Sequence, residues 1–94
     1  MLVKVLAKIP ESFKGQKVTH ARLCFWDSSL SAFARSIKMN GDEVELEFEI
    51  SDAKLEFVTV GMRFDIFLAV DEKEEGYAVR KWRAATPLKA ETLG

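Results

Sequence analysis

The stretch Met39-Asn40-Gly41-Asp42, followed by Glu43 to Ile50, constrains this chain more than any other. Asn-Gly is the pair best suited to the centre of a type I′ hairpin turn, where both residues take positive φ. After it, Val44, Leu46, Phe48 and Ile50 alternate with Glu43, Glu45, Glu47 and Glu49. A period of two places four apolar side chains on one face and four carboxylates on the other. That is the pattern of a strand with one buried and one wetted side, and it does not match the helical period of about 3.6.

The rest of the chain repeats the theme. Leu2 to Ile9 reads as a first strand ended by Pro10, and Glu11 to Gln16 as a loop. Lys17 to Trp26 is a second strand, with Thr19, Ala21, Leu23 and Phe25 on one face and Val18, His20, Arg22, Cys24 and Trp26 on the other. Asp27-Ser28-Ser29 has the composition of a turn. Leu30 to Met39 is ambiguous: Leu30, Phe33, Ala34 and Ile37 have helical spacing, whereas Phe33, Ile37 and Met39 share a strand parity. The Asn-Gly turn that follows favours the strand, as the first arm of a hairpin. Ser51 to Gly61 is an irregular connection with a short element around Leu55 to Val58. Met62, Phe64, Ile66, Leu68 and Val70 then alternate cleanly, Asp71 to Gly76 forms a charged hairpin loop, and Tyr77 to Ala85 returns. A β-bulge at Arg80-Lys81 would bring Tyr77, Val79, Trp82 and Ala84 onto one side. Pro87 is expected to stop the strand, which makes residues 1–87 a single β domain and 88–94 a flexible tail.

Ninety-four residues hold one domain. The order of elements predicts an all-β fold, a small closed or partly open antiparallel β-barrel of about six strands, with a two-sheet sandwich as the alternative. Closure removes the strand edges that the Val- and Phe-rich segments would otherwise expose. The expected core is Val44, Leu46, Phe48, Ile50, Met62, Phe64, Ile66, Leu68 and Leu23.

The inventory narrows the chemistry. With one Cys (Cys24) and one His (His20), the chain can form neither an internal disulfide nor a nitrogen–sulfur zinc tetrad, and no cofactor or metal is expected. His20 and Cys24 share a strand face but lie ~13 Å apart along it, too far for a nucleophile and its base. The glutamates succeed one another at ~6.6 Å. A paired-carboxylate hydrolase, however, holds one acid protonated in an apolar pocket, and a solvated row lacks that asymmetry. No phosphate-binding, nucleophile-elbow, metalloprotease or calcium-loop motif is present. Lys4 and Lys8 interrupt the apolar start before it reaches signal-peptide length, and no run is long enough to span a membrane, so a cytoplasmic protein is expected.

What remains is binding. Net charge is −1, but it is divided as +5 over residues 1–38, −9 over 39–75 and +3 over 76–94. Such segregation arises when acidic strands lie beside basic ones and their exposed side chains pair. It also suits a surface that docks a charged partner. The parity sets leave Val18, Trp26 and Phe67 on faces that a purely solvated surface would not fill with large apolar groups. Tyr77, Arg80, Lys81, Trp82 and Arg83 place three bases around two aromatic rings, the means by which single-stranded nucleic acid is held. The sequence therefore predicts a non-enzymatic interaction module that binds a protein partner or itself as a homodimer. The alternative is a barrel that binds RNA or single-stranded DNA through Tyr77 to Arg83.

Overall fold

The computed structural model describes residues 2–26, 31–51 and 63–93. Within them the chain is all β: β1 (Leu2–Lys8), β2 (His20–Phe25), β3 (Ser31–Asn40), β4 (Glu43–Glu49), β5 (Phe64–Glu74) and β6 (Tyr77–Thr92). Every pairing is antiparallel, and the strands close into a barrel in the order β1-β4-β3-β2-β5-β6. Among the described residues no helix is long and apolar enough to cross a membrane.

The glutamate strand behaves as its pattern requires. Val44, Leu46, Phe48 and Ile50 are buried, and they meet Val3, Val5 and Ala7 of β1, Ala21, Leu23 and Phe25 of β2, and Ile66, Leu68 and Val70 of β5 in one core. Phe64 packs against that core at its edge, with its ring set edge-on to Phe25 at 6.5 Å. A single 3₁₀ turn at Glu11–Phe13 follows Pro10 and buries Phe13 in the core. From Ser31 on, the ambiguous segment is strand, as the Asn-Gly turn after it favours. The turn expected at Asp27-Ser28-Ser29, the element around Leu55 to Val58 and the inward Met62 lie outside the described residues.

Four details depart from the sequence reading. First, the β3–β4 turn sits one residue later. Asn40 pairs with Glu43, so Gly41-Asp42 form the loop, and only Gly41 has positive φ (65°). A glycine alone at the first central position fits a type II′ turn. Second, the type I′ signature appears at the other hairpin. β5 runs to Glu74, and Glu75 (φ 49°) and Gly76 (φ 91°) turn the chain. The charged segment Asp71 to Glu74 is therefore strand, part of a long two-stranded arm.

Third, β5 and β6 keep one register from Ile66↔Ala85 to Glu74↔Tyr77, with no bulge at Arg80-Lys81. Trp82 and Ala84 therefore share the parity of Arg80, opposite to that of Tyr77, Val79 and Ala85. The bulge in this strand lies further on, where the register shifts opposite Leu6 and Ala7. Fourth, residues 88–92 are not a tail: β6 continues through Pro87 to Thr92 and pairs with Val3 to Lys8, which closes the barrel. Leu93 donates a further backbone bond to Leu2 at 2.9 Å. Pro87 is tolerated because it sits at the register shift, where a missing N–H interrupts no regular ladder.

Candidate functional site

The barrel has two outer faces of different character. On the first, formed by β1, β4 and the second half of β3, the carboxylates of β4 stand beside bases. Lys4 Nζ lies 2.9 Å from Glu45, and Arg35 Nη1 lies 3.0 Å from Glu49. The hydrogen bond and charge of Glu45 raise the Lys4 pKa, and the hydrogen bond from Lys4 lowers that of Glu45. Register explains this: Lys4 faces Glu47 directly and Glu45 on the diagonal, within reach of a lysine.

The second face is formed by β2, β5, the first half of β3 and the first half of β6. Phe33, Arg22, Phe67 and Ala84 stand directly across from one another on four adjacent strands. One row on, Ala69 lies between His20 and Trp82. The Phe33 and Trp82 rings close over this surface, with centroids 6.4 Å apart and planes tilted by 56°. Arg22, Phe67 and Trp82 line a shallow cleft of about 190 Å³ between them. Ala69 is fully buried yet lies outside the core cluster, which places its cover on this outer surface. Phe33 remains 63% exposed.

The sequence-selected residues divide across this geometry. Phe67 is half-buried within the aromatic face. Val18 is not on a surface at all: it is 3% exposed, because β2 begins only at His20 and Val18, two residues before it, turns into the core. Its N–H points at Met39 Sδ, 3.5 Å away. Trp26 is 58% exposed beyond the end of β2, with the Arg63 guanidinium 5.7 Å from its ring centroid, and it has no ring contact with the Phe33–Trp82 pair.

The Tyr77 to Arg83 segment separates by parity. Trp82 and Arg80 belong to the aromatic side; Tyr77, Lys81 and Arg83 belong to the other, with Tyr77 exposed at the tip of the arm. Two of the three bases are engaged by carboxylates of β5. Arg80 Nε donates to Asp71 at 3.0 Å, and Lys81 Nζ lies 3.0 Å from Glu72 and 2.9 Å from Glu74. The hydrogen bond from Arg80 lowers the Asp71 pKa, and hydrogen bonds to Glu74 and Glu72 raise that of Lys81. Arg83 Nη1 donates to the Trp82 carbonyl at 2.8 Å and, among the described residues, has no carboxylate partner.

Phe33 and Arg22 were missed from sequence. Phe33 shares the sequence parity of Ile37 and Met39, but the register shift between Ala34 and Ser36 reverses the parity, so Ala32, Ala34 and Ile37 pack on the core and Phe33 points out. The only available signal was the small residues on either side of it, which suit a crowded interior better than a phenyl ring does. Compared with known proteins, the chain matches no family model, no curated protein and no solved structure.

Proposed function

We propose that this protein is a non-enzymatic interaction module of the reducing cytoplasm, and that it binds a protein partner through the aromatic face of β2, β3, β5 and β6. One observation carries the reading: Phe33, largely exposed, is held against Trp82 outside the barrel, above Phe67 and Arg22. Aromatic rings and arginine are the residue types that dominate interface hot spots, and rigid rings lose little conformational entropy when covered. The unpaired Cys24 agrees with a reducing compartment. Glu45 of the glutamate strand is unsuited to act as a general acid. Lys4 displaces the Glu45 carboxyl downward, opposite to what a general acid requires.

The nucleic-acid reading draws on Tyr77, Arg80, Lys81, Trp82 and Arg83, to which the cleft adds Arg22 beside the Trp82 ring. It is weakened by Arg80 and Lys81, which already hold carboxylates, and by the net charge of −1. Affinity capture with wild type and with Phe33→Ser, each with and without nuclease, tests the proposal alongside a direct titration with single-stranded RNA. Retention of protein partners that requires Phe33 and survives nuclease is the expected result. Micromolar RNA binding that weakens with salt and with Phe33→Ser would overturn it in favour of the nucleic-acid reading.

A further inference from the structure

We infer that the partner of the aromatic face is a second copy of this chain, docked about a two-fold axis that sets Arg22 of each copy against Asp65 of the other. The inference rests on the reading of that face as an interface and adds the identity of its occupant. Arg22 and Asp65 stand on the same outer surface of neighbouring strands, two positions apart in register, since Arg22 faces Phe67 and Cys24 faces Asp65. Elsewhere on this barrel, charges placed at such a diagonal are joined, as Lys4 is to Glu45. Arg22 and Asp65 are not: among the described residues neither side chain has an ion pair or a hydrogen bond, although Arg22 is exposed and Asp65 half-buried.

A face that offers one unpaired cation and one unpaired anion beside the exposed Phe33 ring is complementary to itself. In a two-fold interface residue i meets residue j of the partner and j meets i, so a single Arg–Asp couple is satisfied twice. An axis that exchanges Arg22 with Asp65 passes close to Phe67 and Cys24, which brings the two copies of Phe67 together beneath the Phe33–Trp82 rings. Charge complementarity of this kind fixes register, and apolar contact supplies the area.

The test is sedimentation over a concentration series with reciprocal charge reversal. Wild type should pass from monomer to dimer. Arg22→Asp and Asp65→Arg alone each set like charges together and should weaken dimerisation by about tenfold or more. An equimolar mixture of the two variants should restore it, because each then supplies what the other lacks. An Arg22–Asp65 pair made within one copy would give no such rescue, and its absence overturns the inference. Should circular dichroism show either reversal unfolded, Arg22→Gln and Asp65→Asn remove the charge at similar size and should each weaken the dimer; unchanged association then counts against it. A wild type that stays monomeric while Phe33-dependent capture persists overturns the second copy as occupant and leaves the interaction face standing. If Phe33-dependent capture is absent as well, both fail.

Discussion

On the outside of β1 and β4, Lys4 sits beside Glu45, and Arg35 at the seam of β3 reaches Glu49. On the outside of β2, β5 and the near half of β6, Phe33, Phe67 and Trp82 gather around an Arg22 that has no carboxylate partner among the described residues. Both faces are built on the same alternating strands, and both have the same core beneath them. The seam between them is β3, whose first residues pair with β2 and whose later ones pair with β4, with a register shift between Ala34 and Ser36. A bulge at that point turns the strand and reverses which residues face out. The charge segregation along the chain therefore has two outcomes. On one face opposite charges neutralise one another and leave a solvated wall; on the other the strands bring rings together and leave Arg22 and Asp65 free.

The largest effect is expected beneath both faces. Phe48 is fully buried at the centre of the shared core, and Phe48→Ala should destabilise the domain by about 3–5 kcal/mol in a denaturant melt. A loss below about 1 kcal/mol would mean that the two faces do not share one packed interior.

Much of that interior was legible in the sequence. The inward sets Val44, Leu46, Phe48, Ile50 and Ile66, Leu68 are strict alternations, and alternation reports side-chain direction directly. The faces were harder, because each bulge reverses a parity. The bulge expected at Arg80-Lys81 does not exist, the one at Ala34–Ser36 leaves no mark in composition, and Pro87, which sits at the one opposite Leu6–Ala7, reads as a strand end. For that reason Trp82 could be placed but not aimed, parity alone does not separate Phe33 from Ile37 and Met39, and residues 88–92 read as a tail although they form the closing strand. Val18 misled for a related reason: strand parity was extended past the point where β2 begins. The hairpin turns show the same limit. Positive φ was correctly tied to glycine, but the Asn40-Gly41 loop lies one residue later, and a type I′ turn accepted Glu75 beside Gly76.

A smaller effect on stability, and a larger one on association, is expected at the aromatic face. Phe33→Ser removes a ring that is mostly in water, so it should cost at most about 1 kcal/mol in the melt. It should nevertheless abolish concentration-dependent association. A destabilisation as large as that of Phe48→Ala would make Phe33 a structural residue and erase the contrast between the faces.

The smallest effects are expected from the charge pairs, and their pH dependence has a defined sign. The carboxyls of Glu45 and Asp71 lie below their ordinary values of 4.5 and 3.8 in the folded protein. Their contribution to stability is thus complete above those values and is lost as the pH falls through the depressed ones. Lys4 and Lys81 lie above 10.5, so their contribution is complete below that pH and is lost as the pH rises beyond it. Acid melts should show a decline that Glu45→Gln and Asp71→Asn each reduce. Neither substitution should alter the melts between about pH 5 and 8, the range in which stability is usually greatest, by more than an exposed pair does. An Asp71→Asn protein with the full acid decline would remove the Arg80 pair as its cause.

The most direct test of the distinction between the two faces is a backbone and side-chain NMR titration in which the protein concentration is raised to millimolar. Resonances of Arg22, Phe33, Phe67 and Trp82 should shift together, while those of Lys4, Leu6, Glu45 and Glu49 stay in place. Shifts confined to the Lys4–Glu45 face, or spread evenly over both, would rule out the aromatic surface of β2, β3, β5 and β6 as the face that associates.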